Sequence, residues 1–260
     1  MVTTGEANLK GKAELWVYGN GRTGKVGPIA LGSGKTGHFK VNATDQFKAT
    51  INPNIGDIYK IRVGHLDTIA GDEWFLEKVE MQNIEQDETH EFWFQRWLSR
   101  GQEDFDVVRE CPMESEGLEV LHYHINVKLG NQRPVKSDTK IHVELRGSRG
   151  DTGKRLLFHS LNNKKKFENA GQTDTFLVEA VDLDQPKEIW VGSNCDVPGH
   201  GFFIEMITVE VEHPEHGKKL WYFPCNKWFD KGEDDKIIER VIKVGERRTF
   251  SLSLFMFLVS

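Results

Sequence analysis

The sequence predicts an all-β protein built as two tandem antiparallel β-sandwiches, and three observations predict it. The chain repeats itself at long range, apolar and polar residues alternate along short runs, and turn residues punctuate those runs. The repeat is the strongest of the three. Ile61-Arg62-Val63-Gly64, a loop, and Asp72-Glu73-Trp74-Phe75-Leu76-Glu77 correspond to Ile189-Trp190-Val191-Gly192, a loop of equal length, and His200-Gly201-Phe202-Phe203-Ile204-Glu205. Gly64 and Gly192 stand 128 positions apart, and Trp74/Phe202 and Glu77/Glu205 keep that offset. A period this long marks duplication of a whole domain, because solenoid repeats run roughly 20 to 50 residues.

The strands follow in order. Ala13-Glu14-Leu15-Trp16-Val17-Tyr18 alternates, as do Tyr123-His124-Ile125-Asn126-Val127-Lys128-Leu129 and Lys140-Ile141-His142-Val143-Glu144-Leu145. Period-two alternation means one buried and one wet face. Turns are signalled at Gly19-Asn20-Gly21, Asn52-Pro53-Asn54, Gly147-Ser148-Arg149-Gly150 and Asp184-Gln185-Pro186. No segment carries a sustained helical stripe. The joint is expected at Cys111-Pro112-Met113-Glu114-Ser115-Glu116-Gly117. This gives a first domain over 1–112, a linker over 113–120, a second domain over 121–245 and an atypical tail over 246–260. Gly64/Gly192, Trp74/Phe202 and Trp93/Trp221 are read as shared sandwich-building positions.

Composition bounds the function. A chain of 260 residues, 38% apolar and 28% charged, fits two soluble globular domains. A net charge of −6 argues against generic nucleic-acid binding, and no nucleic-acid partner is expected. Three cysteines (Cys111, Cys195 and Cys225) at irregular spacing propose no disulfide framework, so reduced thiols in an intracellular compartment are expected. The N-terminus lacks the apolar core of a secretory signal. The tail after Gly245 has an apolar run too short to span a bilayer, and it is read as an alternative terminus or a stray segment.

Trp221 to Asp235 (W-Y-F-P-C-N-K-W-F-D-K-G-E-D-D) resembles the closing motif of PLAT domains, the lipoxygenase-homology modules. Gly147 to Lys154 (G-S-R-G-D-T-G-K), I-W-V-G and the G-F-F-I-E-M-I-T-V strand are similar to other motifs of that family. The first copy carries weaker versions: G-N-G-R-T-G-K, I-R-V-G-H-L-D, E-W-F-L-E-K-V and F-W-F-Q-R-W-L-S-R-G-Q-E-D. Together they cover Val2 to Gly245. The resemblance implies an eight-stranded sandwich in each copy, with loops that bind calcium, membrane surfaces or partner proteins. Val2-Thr3-Thr4-Gly5 matches only the end of the other copy's first strand, Val127 to Gly130, so a chain cut from a longer array is expected. PLAT arrays without a catalytic domain are similar to those of inner-ear hair cells. That implies a scaffold at the membrane of stereocilia, needed for hearing, with membrane or cytoskeletal proteins as partners and no small-molecule substrate.

The same resemblance implies candidate residues. Calcium takes about six to eight oxygen ligands. Asp138 matches the first acidic loop of the family's calcium site and Glu168 with Asn169 the second, while Pro198-Gly199-His200-Gly201 brings no carboxylate to the third. In the first copy Asp72 and Glu73 fill the third loop with Asp67 nearby, but Lys10 and Lys40 replace the other acids. Trp97 and Trp228 match positions where some lipoxygenases present a loop tryptophan to lipid, and Ile69 and Val197 occupy another such loop. The run Lys164, Lys165 and Lys166, with Lys154 and Arg155, suits anionic headgroups.

Enzyme-like strings read as structural. Gly32-Ser33-Gly34-Lys35-Thr36 lacks the earlier glycine of a phosphate-binding loop, because Ile29 stands there. His213-Pro214-Glu215-His216 reads as a turn, and Cys225 as a small apolar residue. Three functions remain: a non-catalytic binding scaffold, which is favoured, a calcium-dependent phospholipid-binding sensor, and a regulatory domain pair of a lipid enzyme.

Overall fold

A computed structural model describes residues 1–32, 37–66, 71–84 and 87–245. The first domain has eight strands: β1 (Val2–Thr4), β2 (Ala13–Gly19), β3 (Lys25–Leu31), β4 (Thr44–Asp45), β5 (Ile58–His65), β6 (Trp74–Asn83), β7 (Glu88–Leu98) and β8 (Val108–Pro112). They form two four-stranded antiparallel sheets, β4-β1-β6-β7 and β3-β2-β5-β8. A single 3₁₀ turn at Glu114–Glu116 follows, closed by Gly117 at φ 60°, a left-handed conformation that suits glycine.

The second domain begins at Val120, one residue inside the expected linker. It comprises β9 (Val120–Leu129), β10 (Ile141–Gly147), β11 (Gly150–Asp151), β12 (Arg155–Leu156), β13 (Thr173–Val181), β14 (Pro186–Ser193), β15 (Phe202–His213), β16 (Gly217–Phe229) and β17 (Glu239–Lys243). One sheet is β13-β9-β15-β16; the other is β11-β10-β14-β17, with β12 also pairing β10. The pieces β11 and β12 pair with β10 as β3 pairs with β2, so each domain is the same two-layer antiparallel sandwich.

Alternation fills the cores. Ala13, Leu15, Val17, Ile61, Val63, Trp74 and Leu76 pack together in the first domain, and Ile125, Val127, Ile189, Val191, Phe202 and Ile204 in the second. Each fully buried large apolar side chain contributes roughly 1.5 to 3 kcal/mol. The Trp93/Trp221 expectation is corrected by register. Val79 stands opposite Phe92 and Ile207 opposite Phe223, so the offset between copies is 131 from β7 onward. An odd shift moves a residue to the other face of a sheet. Trp93 lies opposite Lys78 and is 52% exposed, whereas Trp221 lies opposite Val209 and packs partly against the core.

Candidate functional site

The strongest concentration of chemistry lies where the two domains meet. Strands β2 and β5 carry Tyr18, Lys60 and Arg62 on the face away from the first core, a face the alternation marks as wet, and all three are buried. The loop joining β10 to β12 covers them. Asp151 receives the Tyr18 hydroxyl at 2.8 Å, Lys25 Nζ at 2.6 Å and Arg62 Nη1 at 3.0 Å. Lys60 Nζ bridges, donating to Glu110 Oε2 at 2.7 Å and to the Asp151 carbonyl at 3.1 Å. Gly153 makes the approach possible: its φ is +64°, and an added Cβ would lie 2.3 Å from the Arg62 guanidinium carbon.

Charge also crosses in the other direction. Arg155 donates to Asp106 Oδ2 at 3.0 Å and to the Val108 carbonyl at 2.8 Å, and the Val181 amide donates to Glu110 Oε2 at 2.9 Å. Arg96 of β7 reaches Glu179 of β13 at 2.9 Å. Glu110 Oε1 and Arg155 Nη2, 3.9 Å apart, are compensated by charge attraction rather than by a hydrogen bond. Burial works against the Asp151 carboxylate, but the Lys25 hydrogen bond and the Arg62 and Lys25 charges outweigh it and hold its pKa well below the usual carboxylate range. Burial pushes the Tyr18 phenol up, so it stays a donor, and pulls Lys60 down against the attraction of Glu110.

The acidic candidates take up separate positions. Asp72 accepts the Lys10 amide at 3.1 Å and the Gly11 amide at 2.9 Å, and Glu73 accepts the Ser99 hydroxyl at 3.1 Å. Glu168 pairs with Lys165 at 3.0 Å, Asn169 bonds Gln172, and Asp138 is exposed. Asp67 lies outside the described residues. Among the described residues no three His, Cys, Asp or Glu side chains come together as metal ligands. The carboxylate that organises a loop end in the second domain is Asp230, buried, accepting the Gly199, Gly201 and Gly232 amides and pairing with Arg133.

Trp97 and Trp228 end strands β7 and β16, half-buried. Each makes an edge contact with the phenylalanine opposite, Phe75 at 5.4 Å and Phe203 at 5.5 Å between ring centres, and Arg133 lies over Trp228 at 4.4 Å. Val197 is 48% exposed in its loop, and Ile69 lies outside the described residues. The lysine run divides: Lys164 is exposed, Lys165 faces Glu168, and Lys166 donates to the Leu157 carbonyl. Arg155 does not join this run, because it is buried in the junction. His213 accepts the Glu215 and His216 amides within the turn between β15 and β16, and Cys225 packs half-buried on the core. Of the phosphate-loop-like string, Ser33 to Thr36 lie outside the described residues, as does the tail 246–260.

The sequence pattern of the PLAT/LH2 domain matches this chain twice, at residues 1–109 and 123–243. The chain belongs to the PLAT/LH2 domain family. It is similar to the human and mouse "Lipoxygenase homology domain-containing protein 1", 30% identical to each over 219 residues. The match covers 83% of this chain and 10% of either relative, so the chain spans about a tenth of their length. Among solved structures, a lipoxygenase described as calcium-dependent is 24% identical, covering 48% of this chain and 17% of its own at a TM-score of 0.37. A coral 8R-lipoxygenase is 20% identical, with the same coverage and a TM-score of 0.36. Scores this low carry no argument.

Each PLAT domain supplies what the other lacks at the junction. The first offers Lys25, Lys60 and Arg62 with Asp106 and Glu110; the second offers Asp151 and Glu179 with Arg155. Sequence reading missed these residues apart from Arg155, which it assigned to a basic surface, although one signal was present. Lys60 and Arg62 flank Ile61 in the first PLAT copy, where the second copy has Glu188 and Trp190.

Proposed function

We propose that the chain is a non-catalytic scaffold in which two PLAT domains are clamped in one relative orientation. It presents their outer loops to a membrane surface and to membrane or cytoskeletal proteins. The setting that goes with this reading is intracellular and membrane-proximal, in the stereocilium by the resemblance. The observation that carries it is the buried junction. Lys60 and Glu110 are each 0% exposed, and Arg62 and Asp151 are 5% and 10% exposed. Buried charges cost free energy unless paired in one geometry, so they fix an orientation more than they add stability. Fixed spacing is what a scaffold needs, because two linked contacts act together only when geometry lets both engage.

The test uses the full chain and an Asp151→Ala, Arg155→Ala variant that uncouples the domains. Small-angle scattering should show a single compact distance distribution for the wild type and a broadened one for the variant. Binding to membrane vesicles should weaken with the broadening. Equal binding by a demonstrably uncoupled chain would sink the scaffold reading.

A further inference from the structure

The repeat gives each ion-paired residue of the junction a counterpart in the other domain. Arg62 stands opposite Glu110 between β5 and β8, as Trp190 stands opposite Val241 between β14 and β17. Asp106, two residues before β8, corresponds to Ile237, two residues before β17. On the other side of the junction, Arg155 lies opposite Val143 of β10, and Ile29 lies opposite Leu15, the matching residue of β2, so Arg155 corresponds to Ile29. The first domain thus uses its β5-β8 face and leaves its β3 edge free. The second uses the edge formed by β11 and β12 and leaves its β14-β17 face free. Burial follows: Arg62, Asp106 and Glu110 are at most 5% exposed, whereas Ile237 is 43% and Val241 49% exposed, with Trp190 half-buried beside them. On β3, Pro28 and Ala30 are exposed and Ile29 is partly buried against its own core.

The differences between the copies are matched across these two free surfaces. In the formed junction Arg155 meets Asp106 at 3.0 Å and lies 3.9 Å from Glu110. Its counterpart Ile29 is apolar, and so are the counterparts of both partners, Ile237 and Val241, and of Arg62, Trp190. An ionic edge sits on an ionic face, and an uncharged edge is left with a face whose centre is apolar. Apart from Lys25, which is committed to Asp151, β3 carries no charge. Around the apolar centre Arg146 pairs with Glu144 at 2.6 Å and with Glu188 at 3.1 Å, and Glu239 and Lys243 flank Val241, so the rim is polar and mixed in sign. An apolar centre inside a polar rim is the anatomy of a protein interface, and tryptophan is among its commonest anchors.

We propose that the β10-β14-β17 face of one chain docks the β3 edge of a second copy of the same chain, repeating between copies the arrangement that joins the two domains within one. The two surfaces are unlike, so each contact leaves one face and one edge free at its ends, and association proceeds head to tail. The inference rests on the clamped junction of the scaffold reading and adds its partner: the scaffold extends by its own copies.

Sedimentation velocity of the full chain over roughly 1 to 500 μM, the range of a weak contact, tests this. The sedimentation coefficient of the wild type should rise with concentration. Val241→Glu places a charge in the centre of the face and Ala30→Glu places one on the β3 edge; both positions are exposed, so the fold is spared. Each should weaken association at least about tenfold. Mixed, the two variants should form a one-to-one complex and nothing larger, because one keeps its edge and the other its face. A wild type that stays monomeric, association that either variant leaves intact, or a mixture without a complex overturns the proposal. Dimers of Ala30→Glu alone would mean that two like faces meet. Scattering of the variants reads the clamp separately: a compact chain that fails to associate as described sinks this proposal only, whereas a broadened one sinks the scaffold reading with it.

Discussion

Arg62 of the first PLAT domain donates to Asp151 of the second at 3.0 Å, and both side chains are nearly closed to water. Neither residue belongs to the sandwich core, yet together with Lys60, Glu110 and Arg155 they decide how the two domains sit.

Truncating one partner should be costly. Asp151→Ala strands Arg62, Lys25 and the Tyr18 hydroxyl, and breaking a buried pair costs about 3 to 5 kcal/mol. Urea unfolding should show that loss, whereas Asp57→Ala, exposed and bonded only to Asn20, should show less than about 1 kcal/mol.

Acid should loosen the junction through the same residue. The Asp151 pKa is depressed in the folded state, so its stabilisation is present above the unfolded value of about 3.9 and is lost as pH falls through the folded value. Thermal melts between neutral and strongly acidic pH should show a decline below about pH 4 that is shallower in Asp151→Asn. An identical decline in both proteins would assign it to other carboxylates.

Lys60 and Glu110 should couple strongly. Lys60→Met leaves a buried carboxylate short of a partner and should cost about 3 kcal/mol, while adding Glu110→Gln should recover much of it because the amide oxygen can still accept the Val181 amide. A double-mutant cycle measures this, and simple additivity would contradict it.

Gly153→Ala should disturb the junction without removing any charge. Its φ of +64° disfavours alanine, and the new methyl would meet Arg62, so a loss of about 1 to 3 kcal/mol and a looser junction are expected. Scattering and melting on the same sample would read both effects.

Calcium is the remaining loop proposal, with Asp138, Glu168 and Asn169 as its donors in the second domain. Because Glu168 faces Lys165 and Asp72 holds two backbone amides, affinity should be no better than about millimolar. Calorimetry on the full chain checks this. Micromolar binding lost in Asp138→Asn would overturn it.

The architecture was legible because its causes are local. Period-two runs such as Ala13 to Val17 and Ile125 to Leu129 place every second side chain in a core, and the repeat counted the domains. Reading failed where a neighbour mattered. Trp93 and Trp221 match on the page only until a longer hairpin shifts the register by three. Arg155 looked like part of a basic surface because nothing in its own segment reveals Asp106 and Val108 across the junction.

The sequence by itself determined two β-sandwiches of the PLAT family and the identity of their core residues, since alternation and repetition are written in neighbouring positions. Tertiary structure alone decided that Tyr18, Lys60 and Arg62, wet by every local rule, lie dry beneath Asp151. It also decided that Arg100 meets Lys166 over one phenylalanine ring. The physical reason is that burial and charge pairing depend on what comes to lie opposite, and those partners are separated by up to 133 residues of chain.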